Sequence, residues 1–469
     1  MVLLLEAKDA EEWEYRGEGA ANVVMVYHGT SLDFLGKVLR VQKTAPMVPN
    51  GCSLEMNASL LSTEEQALWS DLREVVAVNL KELLAQAYAQ HVIGSLLGSD
   101  HVDPGTPVCV SKEFLEALDQ NIYDRRPSWR IEATKINLQS GFALLMSDHA
   151  SFSQGLNGAT QCISVEIKPK CGFLPCSKFI SSENHLKRSV SRFAMHQHLK
   201  FSQQKVACIS KYSPLDLFSE SRDRIHQAIG ELFETPQNNL RIFLNGSLVF
   251  GGLGGYAEEG LLNGSITELA VKNLEGLLEN VISCQKGECM ACFKDLITES
   301  LLQSGILSKL LQVQKMDMYD IEGAVHAYFN IIKEPCQICT HSSEEEGNIS
   351  ITEKKTAMPN EPMKKCTEEN YSFIDSLSSE NKSNPDNHMQ NHIHEYFNSL
   401  SLEESRKIVR DFLIATTAKD CSLMLTFQPV HQHAMDVNSL DGNNLIYLTA
   451  TNQTFRYKAC GLVDALLFP

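Results

Sequence analysis

The first 43 residues constrain the fold most, because they alternate apolar and polar side chains with the period of two that antiparallel strands require. Two such runs flank a glycine-rich turn, GEGAAN, at residues 17–22. In the later strand, KVLRVQK, Arg40 falls on the face opposite Leu39 and Val41. The sequence therefore predicts a small sheet with bare backbone N–H groups at one tip and a cation that points away from the core.

Beyond this sheet, apolar residues recur mostly at helical spacing. Ser62 and Glu65 form a capping-box pattern that begins a helical stretch running to about Leu97. We expect an α+β, bilobal fold, with a small strand-rich N-lobe at residues 1–147 that includes this stretch and a larger helical C-lobe at residues 148–469. Further helices are predicted at 184–204, 220–234, 266–284, 291–314 and after Ser401, and strand-like runs at Trp129–Ile131, Phe142–Met146, Cys162–Ile167, 423–430 and 444–451.

Residues 342–391 interrupt this organisation. The segment is rich in Ser, Glu, Asn and Lys, and Tyr371 and Phe373 are its aromatic residues. Such a composition cannot bury enough apolar surface to offset the entropy of ordering the chain. We therefore predict a disordered insertion in the C-lobe.

Charge and cysteine content exclude several classes of protein. The chain has 41 Lys and Arg against 58 Asp and Glu, a formal net charge of −17, which gives no general attraction to nucleic acid or anionic lipid. No apolar run approaches the roughly 20 residues of a membrane-spanning helix. The N-terminus does not resemble a signal peptide, so the 14 cysteines, Cys289 and Cys292 included, are expected to be mostly reduced thiols. We expect a monomer in the cytoplasm and nucleus.

The densest group of charges follows the predicted strand CISVEI. Period-two geometry places Glu166 and Lys168 on one face, and Lys170 follows after a proline ends the strand. Charges at the end of a buried strand are costly unless they meet ligands or each other. Downstream, three cations recur at i, i+4 and i+8, a spacing that usually marks a solvated helix face but in this acidic chain favours a polyanion pocket. The row is Arg192, His196 and Lys200, and Arg130 is a further candidate cation.

The glycine turn and Arg40 have two interpretations. Protein kinases place a glycine-rich flap over the ATP phosphates and a strand cation against the same phosphates. A third glycine of that flap would fall at Asn22. The alternative is an ordinary turn beside a solvated arginine.

Several of these motifs together resemble the inositol-pentakisphosphate 2-kinase family. Glu-Ile-Lys-Pro-Lys at 166–170, RxxxHxxxK from Arg192, GEGAAN near the start and ATTAKDCSLM late in the chain follow the family's order. The resemblance covers residues 11–341 and 392–464. It implies a bilobal fold related to inositol polyphosphate kinases and protein kinases. It also implies transfer of the ATP γ-phosphoryl group to the 2-hydroxyl of inositol 1,3,4,5,6-pentakisphosphate, which yields inositol hexakisphosphate (phytate).

The resemblance assigns binding roles to individual residues. Substrate phosphates would be held by Arg130, Lys170, Arg192, His196, Lys200, Asn238 and Asn239. ATP would be bound by Gly17, Gly19, Asn22, Arg40, Glu166, Lys168 and Arg241, with adenine held by the backbone of a hinge near Ser147 and Asp148. The two asparagines have an alternative interpretation as an Asx turn.

Catalysis is expected from two further residues. Asp420 matches the family's catalytic aspartate, and the neighbouring Lys419 is expected to lower its pKa. Lys168 is the second catalytic candidate. Asp464, in GLVDALLFP, is the match to the metal-holding aspartate that would bind Mg²⁺.

The last residues depart from the family pattern. The family reads Asp-Leu-Asp-Leu-Lys-Pro and continues into a basic tail, whereas this chain reads VDALLFP from Val463. This difference predicts weaker binding of substrate and Mg²⁺ and keeps open a second function, a weakly active or inactive scaffold that binds inositol phosphates. A protein kinase is disfavoured because the sequence has no HRD or DFG motif.

A structural zinc site is predicted near the insertion. His326, Cys336 and Cys339 have the spacing of three zinc ligands, and His341 is the candidate fourth. The alternatives are reduced thiols that happen to lie close together, or a fourth ligand from beyond the insertion: His388, His392 or His394.

Overall fold

Two β-sheets, one in each lobe, form the framework of the protein. The computed structural model describes residues 3–45, 61–78, 80–151, 161–252, 264–333, 396–429, 446–450 and 453–462. The N-lobe strands are β1 (Leu4–Leu5), β2 (Trp13–Glu18), β3 (Asn22–Tyr27), β4 (Lys37–Thr44), β5 (Thr106–Val110), β6 (Lys135–Ile136) and β7 (Phe142–Ser147). The C-lobe strands are β8 (Ile163–Ile167), β9 (Leu240–Leu244), β10 (Ser247–Phe250), β11 (Ser422–Pro429), β12 (Ile446–Ala450) and β13 (Gln453–Leu462).

Helices pack on both sheets and are the main regular secondary structure of the described part of the C-lobe. The described helices are α1 (Thr63–Leu68), α2 (Arg73–Val76), α3 (Lys81–Tyr88), α4 (Gly94–Leu97), α5 (Lys112–Ile122), α6 (Ser128–Ala133), α7 (Arg192–Ser202), α8 (Pro214–Leu217), α9 (Arg222–Glu234), α10 (Gly264–Leu278), α11 (Cys289–Ser304), α12 (Ile306–Gln314), α13 (Asp320–Ile332) and α14 (Leu402–Lys419). The predicted capping boxes at Ser62 and Ser401 are confirmed, since each serine side chain accepts a backbone N–H from the glutamate three residues later. None of the described helices is long and apolar enough to cross a membrane.

The N-lobe sheet confirms the predicted alternation of β4. Its order is β1-β5-β7-β4-β3-β2, with β6 beside β4. Leu39 and Val41 are fully buried in the same core as Phe114 of α5, while Arg40 is half-buried on the opposite face. The sheet therefore separates its apolar core from the face that carries the predicted phosphate-binding cation.

The C-lobe sheet places β8 near its centre. The order is β10-β9-β8-β11-β13-β12, so β8 pairs with β9 on one side and with β11 on the other. Because β11 directly follows α14, the end of that helix is brought to the edge at which β8 also ends. The topology thus brings residues 166–170 next to Asp420.

The helical stretch after Ser62 packs on the larger lobe, although the chain enters it from the N-lobe. Trp69 and Tyr88 are fully buried in the C-lobe core, and the Tyr88 hydroxyl lies 3.3 Å from Oγ1 of Thr417 on α14. This stretch therefore connects the lobes: it follows the N-lobe strand β4 in the chain and packs in the C-lobe core.

Several local predictions are corrected by the structure. Trp129–Ile131 is not a strand but part of α6, and the single helix predicted at 291–314 is two helices separated at Gly305, whose φ is 63°. Cys289 is not a free thiol, since it is bonded to Cys284. The predicted insertion at 342–391 lies outside the described residues.

Candidate active site

Glu166 and Arg241 form an ion pair on the C-lobe sheet. They face each other on β8 and β9, and Nη1 of Arg241 lies 3.2 Å from Oε2 of Glu166. The Ser422 hydroxyl donates a 3.0 Å hydrogen bond to the other carboxylate oxygen of Glu166. Two of the predicted ATP-binding residues are thus brought together, and the buried-strand carboxylate has the partners that its burial requires.

The segment after β8 is fixed by its backbone. The N–H of Lys168 donates to the Asn239 carbonyl at 2.9 Å, and the Tyr212 hydroxyl donates to the Pro169 carbonyl at 2.9 Å. Lys170 then adopts φ 63°, a left-handed conformation that is uncommon for a residue with a side chain. This turn directs the Lys170 side chain towards the end of α14.

Lys170 and Asp420 meet at this point. Nζ of Lys170 donates to Oδ1 of Asp420 at 2.9 Å, and the Asp420 side chain is 65% exposed. Asp420 is the C-cap of α14. A predicted substrate-binding lysine and the predicted catalytic aspartate are therefore in direct contact, and the carboxylate remains open to solvent.

The Lys419 side chain pairs with Asp317 rather than with Asp420, whose partner is Lys170. The Lys419 ammonium lies 2.5 Å from Oδ2 of Asp317 and 5.2 Å from the centre of the Phe173 ring. Its side chain is only 10% exposed. Consecutive residues at a helix end point in different directions, so Lys419 stabilises the adjacent loop while Lys170 supplies the cation at Asp420.

The row on α7 lies close to Lys170. Burial lowers the pKa of His196, and the positive charges of Lys200, Arg192, Lys170 and Lys205 lower it further. His196 is therefore neutral at pH 7 in a field of four cations. The sequence interpretation did not include Lys205, because it follows the end of α7 and falls outside the i, i+4 pattern.

Asn238 and Asn239 belong to a loop that is tied to α7. Gln197 of α7 and Gln237 exchange two amide hydrogen bonds of 2.9 and 3.0 Å, and both side chains are buried. Asn239 is 2% exposed, and its side-chain oxygen has no hydrogen-bond partner among the described residues. The loop is thereby held beside the cation row.

The glycine turn is closed by the predicted residues. Gly19 N donates to the Asn22 carbonyl at 2.9 Å, and the Asn22 side-chain oxygen, in its favoured orientation, accepts from Nε and Nη2 of Arg40 at 3.1 and 3.0 Å. Gly17 lies opposite Val24 in the β2–β3 hairpin. Hydrogen bonds through Asn22 thus connect the glycine turn to the Arg40 guanidinium.

A buried charge cluster that the sequence interpretation missed supports this turn. Glu18 accepts a 2.6 Å hydrogen bond from Lys43 and bonds of 2.9 and 3.0 Å from Nε and Nη2 of Arg126, and all three side chains are at most 2% exposed. Burial alone would raise the pKa of Glu18, but the hydrogen bonds from Arg126 and Lys43 outweigh it and hold the pKa below its ordinary value. We call Glu18, Lys43 and Arg126 the flap cluster.

Arg130 reaches from the N-lobe towards the C-lobe. Its guanidinium stacks 4.1 Å above the ring of Trp129. Burial lowers the pKa of Arg130; Glu18 opposes this shift, while the charges of Arg241 and Arg126 add to it. Because Arg241 lies on the C-lobe sheet, its charge acts on Arg130 from the other lobe.

Ser147 and Asp148 lie at the connection between the lobes, and their backbone N–H groups already donate hydrogen bonds within the protein. Ser147 N donates to the Asp103 carboxylate at 2.9 Å, and Asp148 N donates to the Gly36 carbonyl at 2.8 Å. The Asp148 carboxylate accepts from Nη2 of Arg16 at 2.9 Å. These groups fix the hinge, so any adenine contact with this segment would involve other backbone atoms.

The metal-binding predictions rest largely on residues outside the described part of the chain: Asp464, Cys336, Cys339 and His341. His326 is described. It is 8% exposed on α13 and stacks on Phe397, with ring centres 5.2 Å apart. The described residues contain no group of three or more potential metal ligands.

The two-sheet fold and the site define a bilobal phosphotransferase of the kinase-like type. A glycine turn with a strand arginine lies on the N-lobe sheet, and a row of cations beside an open carboxylate lies on the C-lobe.

The chain belongs to the inositol-pentakisphosphate 2-kinase family, whose profile matches residues 15–465. It is 41% identical to the inositol-pentakisphosphate 2-kinase of Arabidopsis thaliana over 469 residues, which cover 100% of this chain and 91% of that protein. It is also 41% identical to the enzyme of Oryza sativa subsp. indica, over 98% of this chain and 89% of that protein. The Danio rerio protein of the same name is 29% identical over 91% of this chain and 85% of its own length. The predicted family and α+β fold are confirmed.

Proposed function

We propose that this protein transfers the γ-phosphoryl group of ATP to the 2-hydroxyl of inositol pentakisphosphate and so forms inositol hexakisphosphate. The observation that carries the proposal is the convergence of Lys170, Arg192, His196 and Lys200 beside the open carboxylate of Asp420. A substrate with five phosphates needs many charge-assisted donors in one place. The full-length similarity to kinases of that name supports an enzyme.

The net charge makes this convergence informative. The chain carries −17 overall, so a local excess of cations is not a by-product of composition. Like charges that are held together raise the energy of the empty pocket, and an anionic ligand relieves that repulsion. His196 responds in the same direction, because bound phosphates would raise its lowered pKa and favour its protonated form.

The contact between Lys170 and Asp420 suggests how binding is coupled to catalysis. The Lys170 ammonium donates a 2.9 Å hydrogen bond to Oδ1 of Asp420. A substrate phosphate competes for that ammonium and leaves the carboxylate available to orient the attacking hydroxyl and accept its proton. Asp420 is the catalytic residue in this proposal, and Lys170 holds the phosphate next to the reacting hydroxyl.

The nucleotide is proposed to lie between the sheets. Arg40, with Asn22 and the glycine turn, would contact the phosphates from the N-lobe, and Lys168 with Arg241 from the C-lobe. ATP and Mg²⁺ follow from membership of a kinase family. Mg²⁺ neutralises charge on the transferred phosphate when bound, and Asp464, its predicted ligand, lies outside the described residues.

A product assay tests the function. Purified protein is incubated with inositol pentakisphosphate, Mg²⁺ and ATP carrying a labelled γ-phosphate, and inositol phosphates are separated by ion-exchange chromatography. We expect labelled inositol hexakisphosphate. Binding of the inositol phosphate without transfer of label would instead support the scaffold function.

Replacing Lys200 with methionine should raise the KM for inositol pentakisphosphate at least about tenfold and leave the KM for ATP within about twofold, because a hydrogen bond to a charged group is worth about 1.5–3 kcal/mol. Lys112 on α5, which pairs with Glu116 in the N-lobe, gives a control replacement that should change neither constant. Equal increases in both KM values for Lys200→Met would contradict its assignment to the inositol phosphate pocket.

The zinc site and the location of the protein are proposals. His326 lies near the middle of α13, where it is 8% exposed and stacks on Phe397, and we propose that it acts as a structural ligand with Cys336, Cys339 and His341. Mass spectrometry of the purified protein would measure about one zinc per chain, and a metal-free protein would contradict the site.

Location in cytoplasm and nucleus is testable by imaging the tagged protein.

A further inference from the structure

A buried glutamine far away in sequence joins the two segments that carry Lys170 and Asp420. Gln314 is the last residue of α12 and is 0% exposed. Its side-chain oxygen accepts from Gly172 N at 2.8 Å, and its side-chain nitrogen donates to the carbonyls of Lys170 at 2.8 Å and Ala418 at 3.2 Å. One amide thus binds the loop after β8 and the last turn of α14.

The two segments need this kind of support. Lys170 has φ 63°, a backbone conformation that persists only where the surroundings enforce it. Ala418 lies in the last turn of a helix, where carbonyls have no intrahelical donor. Gln314 satisfies both carbonyls at once, so the positions of the two chain segments depend on the same side chain.

Packing against an aromatic ring also restricts the loop. A side chain at Gly172 would come within 2.2 Å of the Phe218 ring, so the loop lies directly against that ring. The loop cannot shift towards Phe218 to recover a lost partner. Removing the Gln314 amide therefore leaves the Gly172 N–H and the Lys170 carbonyl without that partner, and it leaves the Ala418 carbonyl with the Cys421 thiol at 3.3 Å.

We propose that Gln314 is a positioning residue for phosphoryl transfer: it sets the separation between the Lys170 ammonium and the Asp420 carboxylate. The inference rests on the proposed function. Gln314 does not contact the Lys170 ammonium or the Asp420 carboxylate. It acts through the Lys170 carbonyl and through the carbonyl of Ala418, two residues before Asp420. A misplacement of about 1 Å in a catalytic pair can cost about 10²-fold in rate.

The test is the kinetics of Gln314→Met, which keeps the length and volume of the side chain but removes its donor and acceptor. We expect kcat/KM for inositol pentakisphosphate to fall at least about tenfold while the KM for ATP stays within about twofold. If Gln314→Met does not fold, Gln314→Asn is used, because its shorter amide keeps the site polar but cannot reach both segments. Either variant that folds decides the question.

Asn330 provides a matched control. Its side-chain nitrogen donates to the carbonyls of Phe397 and Leu400 and to the Ser405 hydroxyl, so Asn330→Leu also removes a clamp between a helix and α14. We expect it to lower the melting temperature without changing either KM. A Gln314 variant that behaves like Asn330→Leu would overturn the inference.

A double-variant cycle separates positioning from general stability. If Gln314 acts through Lys170, then adding Gln314→Met to Lys170→Met should lower kcat/KM by less than about threefold further. Full additivity of the two losses would overturn the inference. Failure of the proposed function is a different result, since the unaltered protein would then form no inositol hexakisphosphate.

Discussion

Replacing Asp420 with asparagine should lower kcat for phosphorylation of inositol pentakisphosphate by about 10²–10⁴-fold, the range that general acid–base groups contribute. Asparagine keeps the shape of the side chain but cannot accept the hydroxyl proton. The replacement also removes the negative charge that attracts Lys170 and leaves an amide oxygen that accepts its hydrogen bond less strongly. The KM for inositol pentakisphosphate should therefore stay unchanged or fall, and steady-state kinetics with both substrates varied measures the two effects.

The control for Asp420→Asn lies on the same helix. Asp411 on α14 pairs with Lys407 one turn away, and Asp411→Asn removes an identical carboxylate outside the site. It should keep kcat within about twofold, since Asp411 lies outside the site and an i, i+4 pair contributes only about 0.3–0.5 kcal/mol to helix stability. If Asp420→Asn keeps more than a tenth of the original kcat, Asp420 is not the catalytic base.

Local periodicity predicted those parts of the site that share one element. The alternation in β4 placed Arg40 opposite Leu39 and Val41, and the structure has the same arrangement. The i, i+4 spacing from Arg192 likewise predicted a row on one helix face. In both cases the geometry of a single strand or helix fixes which side chains lie together, so the sequence pattern is sufficient.

Contacts between distant segments were not predictable in this way. The partner of Asp420 is Lys170, 250 residues away, rather than the adjacent Lys419. Trp129–Ile131 is rich in residues that favour strands, yet it forms a helix in which Arg130 stacks on Trp129. Gln314 has no sequence signal at all, because a lone glutamine at a helix end is usually exposed.

Glu18 illustrates the same limit. In the sequence it is a polar residue within a glycine turn, which suggests a solvated side chain. In the structure it is 2% exposed and joins β2 to Lys43 on β4 and to Arg126 just before α6. The flap cluster thus links the glycine turn to the helix that carries Arg130, and its loss should affect folding more than any exposed charge.

Glu18→Gln should lower the free energy of unfolding by about 3–5 kcal/mol, because removing one partner of a buried ion pair leaves an uncompensated charge, and here two cations remain. Urea denaturation measures the change. Glu14→Gln is the matched control on the same strand: Glu14 pairs with Arg125 at 2.9 Å, but its side chain is 45% exposed. That pair should contribute no more than about 1 kcal/mol.

The pH dependence gives Glu18 a distinct signature. Its folded pKa lies below the ordinary value, so its contribution to stability is fully present above the unfolded pKa of about 4.3 and is lost as pH falls through the folded pKa. The difference in stability between the unaltered protein and Glu18→Gln should therefore narrow below about pH 4. If Glu18→Gln and Glu14→Gln cost the same at pH 7, or if the difference widens in acid, the flap cluster does not hold the glycine turn as we infer.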